Sequence, residues 1–273
     1  MKTYYTPKTA AAVIIANMVG MGVFTSLGFQ LVDIQDGFPI LMLWILGGIA
    51  ALCGAASYAE LGAALPRSGG EYNFLGRVYH PIAGFISGWV SATIGFAAPV
   101  AAVAIAFGAY TTEVIPGDHK AWVKPLAVAL VLIVTFVHGR NRSSSGQFQI
   151  IFTAIKIALI ALFCVCALIL VPEPQPVRLI PVKADLNIMT TSTFWVSLIY
   201  VTYAYTGWNA ATYISGELEN PQKALPKVLI LGTGLVMALY VALNYVFLRV
   251  APVTEMAEQV EIGYIAARNA FGD

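Results

Sequence analysis

Asn17-Met18-Val19-Gly20-Met21-Gly22-Val23-Phe24 interrupts an apolar run that extends from residue 10 to residue 32. A second apolar run, residues 193 to 216, is interrupted near its middle by Tyr203-Ala204-Tyr205-Thr206-Gly207-Trp208-Asn209. Lipid offers no hydrogen bonds, so backbone freed at such a break must be met by neighbouring protein, trapped water or a bound solute. Breaks at matching places in two halves of a chain point to a binding site near the bilayer midplane. The alternative reading of Gly20 and Gly22 is that they serve helix packing, as small residues often do in membranes.

Composition supports a membrane setting. Of 273 residues, 59% are hydrophobic and only 11% charged, and the mean hydropathy is +0.77. A soluble globule of this length could not present a polar surface all round with so few charges. Apolar stretches long enough for a core of roughly 30 Å place spans near residues 10–32, 39–63, 82–115, 122–138, 147–171, 193–216 and 226–250. The net charge of +1 and the lack of a dense Lys/Arg cluster exclude a nucleic-acid partner. Cys53, Cys164 and Cys166 fall inside spans, where they read as small apolar packing residues. His80, His119 and His138 show no metal-ligand spacing. No metal and no cofactor is expected. The first apolar run lacks a small-residue cleavage site and outlasts a signal h-region, so it is expected to stay in the membrane.

Charge distribution gives an orientation. The side of the N-terminus would hold Lys2, Lys8, Arg67, Arg77, Arg140, Arg142, Lys223 and Lys227; the opposite side would hold Lys120, Lys124, Arg178, Lys183, Arg249 and Arg268. The short hairpin 139–146 carries Arg140 and Arg142 with no acid, whereas connection 33–38 carries Asp33 and Asp36 with no base. The positive-inside rule then makes the N-terminus cytoplasmic. The stretch 172–192 holds Pro172, Pro174, Pro176 and Pro181 and separates span five from span six. Because five is odd, a second set of spans starting at residue 193 enters from the opposite face, so span six is the inverted counterpart of span one. Residues 1–171 are thus expected to form a first repeat, 172–192 an outer loop, and 193–273 the start of a second repeat. Two spans do not balance five, and the expectation is a C-terminally truncated chain.

The chemistry of the breaks indicates a ligand. Glycines at 20 and 22 let a ligand approach the backbone. Amides at the start of a resumed half-helix favour an anionic group such as a carboxylate. Carbonyls near Asn17 to Val19, with their counterparts near Tyr203 and Ala204, suit an ammonium, so a zwitterion fits both ends.

Several linked motifs then carry a family resemblance. Gly20-Met21-Gly22-Val23-Phe24, Tyr58-Ala59-Glu60-Leu61-Gly62 and Pro66-Arg67-Ser68-Gly69-Gly70-Glu71-Tyr72 resemble signatures of the amino acid, polyamine and organocation (APC) transporter superfamily. Tyr203 to Asn209, with Gly216-Glu217-Leu218-Glu219-Asn220-Pro221 and Leu225-Pro226, is similar to the pattern of L-type amino acid transporters and bacterial serine/threonine exchangers. The resemblance implies an all-α membrane protein with a LeuT-type inverted-repeat helical bundle, its first and sixth helices broken. It implies a multi-pass permease of a bacterial inner (plasma) membrane that moves amino acids by alternating access, without sodium, as an exchanger or a proton-coupled symporter. Carried over, Gly20, Met21 and Gly22 would meet the substrate carboxylate. Backbone near Asn17, Val19, Tyr203, Ala204, Thr206 and Gly207 would meet the amine and the rest of the substrate. Tyr203 would be an aromatic gate where relatives carry Phe, and Thr206 would narrow the pocket toward small or medium neutral amino acids.

Lys156 lies about 14 Å into a span, too deep for easy snorkelling. A cation there is costly unless paired or neutral. The resemblance makes it a built-in substitute for a sodium ion that contacts span-one carbonyls near Gly20, with its protonation coupled to transport; the alternative is a purely structural lysine. Glu60, Arg67, Glu71 and Arg77 form a candidate gate network at the cytoplasmic end of span two, or ordinary interfacial charges. No nucleophile, base and orienting acid combine, so an enzyme is not expected. A non-transporting membrane sensor or an inactive truncated permease is the alternative function.

Overall fold

The computed structural model describes residues 5–114, 120–140 and 142–272. Lys2 and His119 lie outside them, and the side chains of Lys120, Arg140 and Arg142 are likewise outside the description. Among the described residues the chain is helical, with one isolated parallel bridge between Tyr5 and Leu218. The first span consists of α1 (Pro7–Met18) and α2 (Gly22–Gln30). Thr6 caps α1 by accepting from the Thr9 amide at 3.3 Å, and Pro7 occupies the first position, where no amide is needed. The second span is α3 (Gly37–Ala64), followed by α4 (Glu71–Val78) in the connecting loop. The third runs through α5 (Pro81–Val90), a π-helical stretch over Ser91–Ala97, and α6 (Ala98–Val114). The fourth and fifth are α7 (Val123–Arg140) and α8 (Arg142–Leu170).

Four details differ from expectation. The hairpin foreseen over 139–146 is helical on both sides, because nothing in Ser143-Ser144-Ser145-Gly146 breaks a helix once packing supports it. The proline-rich stretch is extended as far as residue 182 and then forms a short helix, α9 (Lys183–Met189). The sixth span starts as α10 (Ser192–Ala204), unwinds, and resumes as a tight 3-10 helix over Ala210–Glu217 rather than as a second α-helix. The seventh, α11 (Pro221–Val250), starts at Pro221 instead of 226 and carries Pro226 inside it. Two short helices follow, α12 (Val253–Met256) and α13 (Ile262–Phe271).

Among the described residues, five helical runs are long and apolar enough to cross a membrane: Pro7–Gln30, Gly37–Ala64, Pro81–Ala109, Ser145–Leu170 and Pro221–Val250. The apolar run Val123–Gly139 is shorter. The sixth span falls short as a continuous helix because α10 has only 13 residues before its break. The core forms where α3 and α11 pack along each other and against α1 and α10. Its centre is Trp44 of α3, Tyr205 of the sixth-span break and Tyr240 of α11, all fully buried. Trp44 donates from Nε1 to Gln30 Oε1 at 3.2 Å, and the Tyr205 hydroxyl donates to the Trp44 carbonyl at 2.9 Å. Spans three to five instead turn large apolar side chains outward, among them Ile94, Leu132, Phe136, Leu159 and Leu162. That surface suits contact with lipid.

The connection over residues 172–192 is stitched to the spans by polar contacts. Arg178 donates from Nη2 to Asp36 and to Asp185, each at 2.9 Å. Asp185 is wholly buried and also accepts from the Val182 amide at 2.8 Å. The Gln175 amide donates to the Arg249 carbonyl at 2.7 Å, and the Arg249 guanidinium returns a bond to the Gln175 carbonyl. Asp185→Asn weakens the buried end of this network and leaves Arg178 with the half-exposed Asp36 alone. Limited proteolysis of the detergent-solubilised variant is expected to cut within 172–182 several-fold faster than in the wild type, and an unchanged rate would refute the stitching role.

Candidate functional site

The two breaks face each other, and glycine makes the approach possible. A Cβ built at Gly22 would stand 3.1 Å from both Cα and Cβ of Ala204. Gly207 has φ of +105°, and a Cβ there would lie 2.8 Å from the Asn17 carbonyl carbon and 3.0 Å from the Met18 amide nitrogen. Each break therefore carries one glycine pressed against the backbone of the other. At Gly20 the demand is smaller: the nearest atom to a built Cβ is the Met18 oxygen at 4.0 Å.

Carbonyls along α1, including those freed at its end, find donors on two other spans. On α8, Gln149, Thr153 and Lys156 lie on one helix face by their four- and three-residue spacing. Gln149 Nε2 and Thr153 Oγ1 donate to the Ala12 carbonyl at 3.5 and 3.2 Å, and Lys156 Nζ donates to those of Ala16 and Val19 at 3.3 and 2.7 Å. Gln149 and Thr153 thus converge on one carbonyl, Ala12, while Lys156 alone serves two, Ala16 and Val19. From α11, the Tyr240 hydroxyl donates to the Met18 carbonyl at 2.6 Å. That carbonyl also takes the Gly20 amide at 2.8 Å.

Where α2 begins, no side chain caps it. Among the described residues no acceptor meets the amides of Met21, Gly22 or Val23. Such a bare helix start carries positive partial charge and suits an anion. Across the gap, the Thr206 amide and hydroxyl both turn back onto the Tyr203 carbonyl, at 3.0 and 2.8 Å. Asn17, Gly20, Met21, Tyr203 and Thr206 are exposed, with Met21 at 52% and Tyr203 at 73%, whereas Val19 and Ala204 are buried. Gly22 and Gly207 lie between these extremes.

The cluster at the end of span two is assembled differently from the expected one. Glu60 and Arg67 are both exposed, and among the described residues neither forms an ion pair. Glu71 instead reaches into the sixth span. Its Oε1 accepts from Asn209 Nδ2, which also donates to the Tyr213 hydroxyl at 3.0 Å. The hydroxyls of Tyr58 and Tyr213 also face this buried carboxylate. Around it the loop is tied down, with the Gly70 amide on the Thr212 carbonyl at 3.2 Å and the Gly216 amide on Ser68 Oγ at 2.9 Å. Gly70 has φ of +49°, and a Cβ there would meet the Tyr213 ring at 2.7 Å. Sequence reasoning named Glu71 among four loop charges but had no means to single it out. Tyr240 was not named, since a tyrosine in an apolar span reads as a core aromatic.

These features define an all-α, multi-pass membrane protein with first and sixth spans broken against each other. The chain belongs to the amino acid permease family within the APC superfamily: the family model described as "Amino acid permease" matches residues 5–273. Among similar curated proteins, the b(0,+)-type amino acid transporter 1 of Mus musculus is 28% identical over 266 residues, covering 96% of this chain and 53% of that protein. Large neutral amino acids transporter small subunit 2 of Homo sapiens is 29% identical over 270 residues, covering 97% and 50%. Asc-type amino acid transporter 1 of Mus musculus is 28% identical over 270 residues, again covering 97% and 50%. The chain thus spans about half the length of the curated relatives it matches. By their names these relatives are transporters, not enzymes.

The glycine contacts generate a contrast. Gly207→Ala meets both a forbidden φ and the Asn17 backbone, and should destabilise by about 2 kcal/mol or more. Gly20→Ala meets open space and should change stability by less than about 0.5 kcal/mol. Thermal melting of the two purified variants in detergent checks the order, and equal melting temperatures would disprove it.

Proposed function

We propose that this protein is a secondary active transporter that moves small or medium neutral amino acids across the membrane by alternating access, without sodium. The observation that carries the reading is Lys156 Nζ on the carbonyls of Ala16 and Val19 at the end of α1. A fixed ammonium there supplies the positive charge and the donors that these carbonyls need, which is the service a bound cation would otherwise perform. In the proposed complex the substrate carboxylate takes the free amides of Met21, Gly22 and Val23, and its ammonium takes carbonyls near Asn17 and Ala204. Tyr203 and Thr206 lie at the exposed rim, where Tyr203 would act as the gate over the side chain. Family membership and the names of the relatives support an amino acid as the solute.

The same reading assigns residues 1–171 to a first repeat, 172–192 to the connecting outer loop and 193–273 to the start of an inverted second repeat. Reciprocal contact between the breaks supports it, because counterparts related by an in-plane axis meet at that axis. The Lys/Arg distribution supports a cytoplasmic N-terminus. Motifs similar to those of bacterial serine/threonine exchangers support a bacterial inner membrane. Closure on the cytoplasmic side would use Glu71 and Asn209 rather than an ion pair between Glu60 and Arg67.

Uptake of labelled neutral amino acids by the full-length protein in proteoliposomes tests the function. Transport should proceed at the same rate when choline replaces sodium, and sodium-dependent uptake would overturn the reading. Binding without turnover would instead favour a sensor. Lys156→Met should lower uptake at least tenfold while the protein still elutes as one species on gel filtration. Gly20→Ala, which the structure accommodates, should lower uptake through its added methyl at the ligand's approach, and normal uptake would remove Gly20 from the site.

A further inference from the structure

The connection after span one carries two acids that the fold treats differently. Arg178 holds Asp36 at 2.9 Å, whereas Asp33 is exposed and, among the described residues, forms no ion pair or hydrogen bond. Asp33 lines a pocket of about 490 Å³ between the end of α2 and the start of α10, a size that suits a small ligand. Phe29 and Val32 give the pocket an apolar wall. Ser197 lines it as well, and this side chain is only 7% exposed. Among the described residues its hydroxyl has no partner, so a buried polar group is left for whatever fills the pocket. The helix ends add fields of opposite sign. α2 finishes here, and the negative end of its dipole joins the Asp33 carboxylate in favouring a cation. α10 starts here. Thr191 takes the Phe194 amide at 3.3 Å, and among the described residues no acceptor meets the amides of Ser192 and Thr193, which favour an anion.

We propose that this pocket is a second amino acid site, in which Asp33 takes the ammonium while the first amides of α10 and the Ser197 hydroxyl take the carboxylate. This rests on the reading that the solute is an amino acid, and it goes beyond the site at the breaks. A half-helix has two ends. At the breaks α2 presents its amides and α10 its carbonyls; at this pocket, about 14 Å away along the nine residues of α2, each presents the opposite end. A zwitterion therefore fits both places, with its two charges exchanged between the spans. An accessible face on each half-helix joins them: Met21, Thr25 and Phe29 follow helical spacing along α2, and Val196, Tyr200 and Tyr203 along α10. A solute that passes from the pocket to the breaks must rotate between the two spans. Because Asp33 and the start of α10 are open to water, their contacts are screened, and this site is the weaker of the two.

Equilibrium binding of a labelled neutral amino acid to the full-length protein in detergent tests the proposal. Wild type should show a tighter and a weaker component. Asp33→Asn, which replaces an exposed side chain that has no partner to lose, should weaken the weaker component about fivefold and leave the tighter one within about twofold. Ser197→Ala should weaken the same component severalfold. The matching carboxylic acid without an amino group serves as a competitor. It carries no ammonium for Asp33 to hold, so Asp33→Asn should not weaken its competition for the weaker component. The proposal is overturned by a single component in wild type, by a weaker component that either variant leaves unchanged, or by equal losses of amino acid and carboxylic acid in Asp33→Asn. A single component with normal uptake removes this site alone, whereas a wild type that neither binds nor takes up amino acids fails at the transport reading, which sets the two failures apart.

Discussion

A carbonyl at the end of a half-helix inside a membrane must find a donor, and lipid has none to give. The arrangement of the spans around α1 follows from that need. Lys156 of α8 delivers its donors to the Ala16 and Val19 carbonyls at that end, while Gln149 and Thr153 on the same face of α8 reach the Ala12 carbonyl further back in α1. Tyr240 of α11 and the Gly20 amide converge on Met18 from other directions. The break is therefore not a weak point in the span. Its polar groups are divided between those the protein satisfies, at the end of α1, and those it leaves open, at the start of α2.

The second constraint is steric. Two backbones can come this close only where side chains are missing, so Gly22 and Gly207 sit at the points of contact. Aromatic residues then fill the space that the unwound segments leave, with Trp44, Tyr205 and Tyr240 forming one buried group. At the far end of span two the loop from Ser68 to Glu71 is bonded to the 3-10 half of the sixth span, so a movement of that half must carry the loop or break at least three hydrogen bonds.

Much of this was legible in the sequence. Long apolar runs gave the helices, and glycines at their centres marked the breaks, because no other residue type combines freedom of φ with absence of bulk. Lys156 stood out for its depth. Partners beyond the reach of local pattern did not. Whether Asn209 meets Glu71 depends on how loop 65–70 folds back, and Arg67 is as close in sequence to the sixth span's partners as Glu71 is. Tyr240 gives no local signal at all, since its role lies in where its hydroxyl ends after three spans have packed. The hairpin 139–146 misled for the opposite reason: polar residues looked like a turn, but serine and glycine continue a helix when its flanks are long.

Gly22 and Ala204 occupy one volume between them, and so do Gly207 and the backbone at Asn17. Residues almost two hundred positions apart are thus neither free to drift nor free to grow separately. A lineage that enlarged either one would have to shrink its counterpart or draw the two spans apart. Sequence change at the two breaks is therefore expected to be correlated across relatives, a record in inheritance of a contact that neither half of the chain reveals alone.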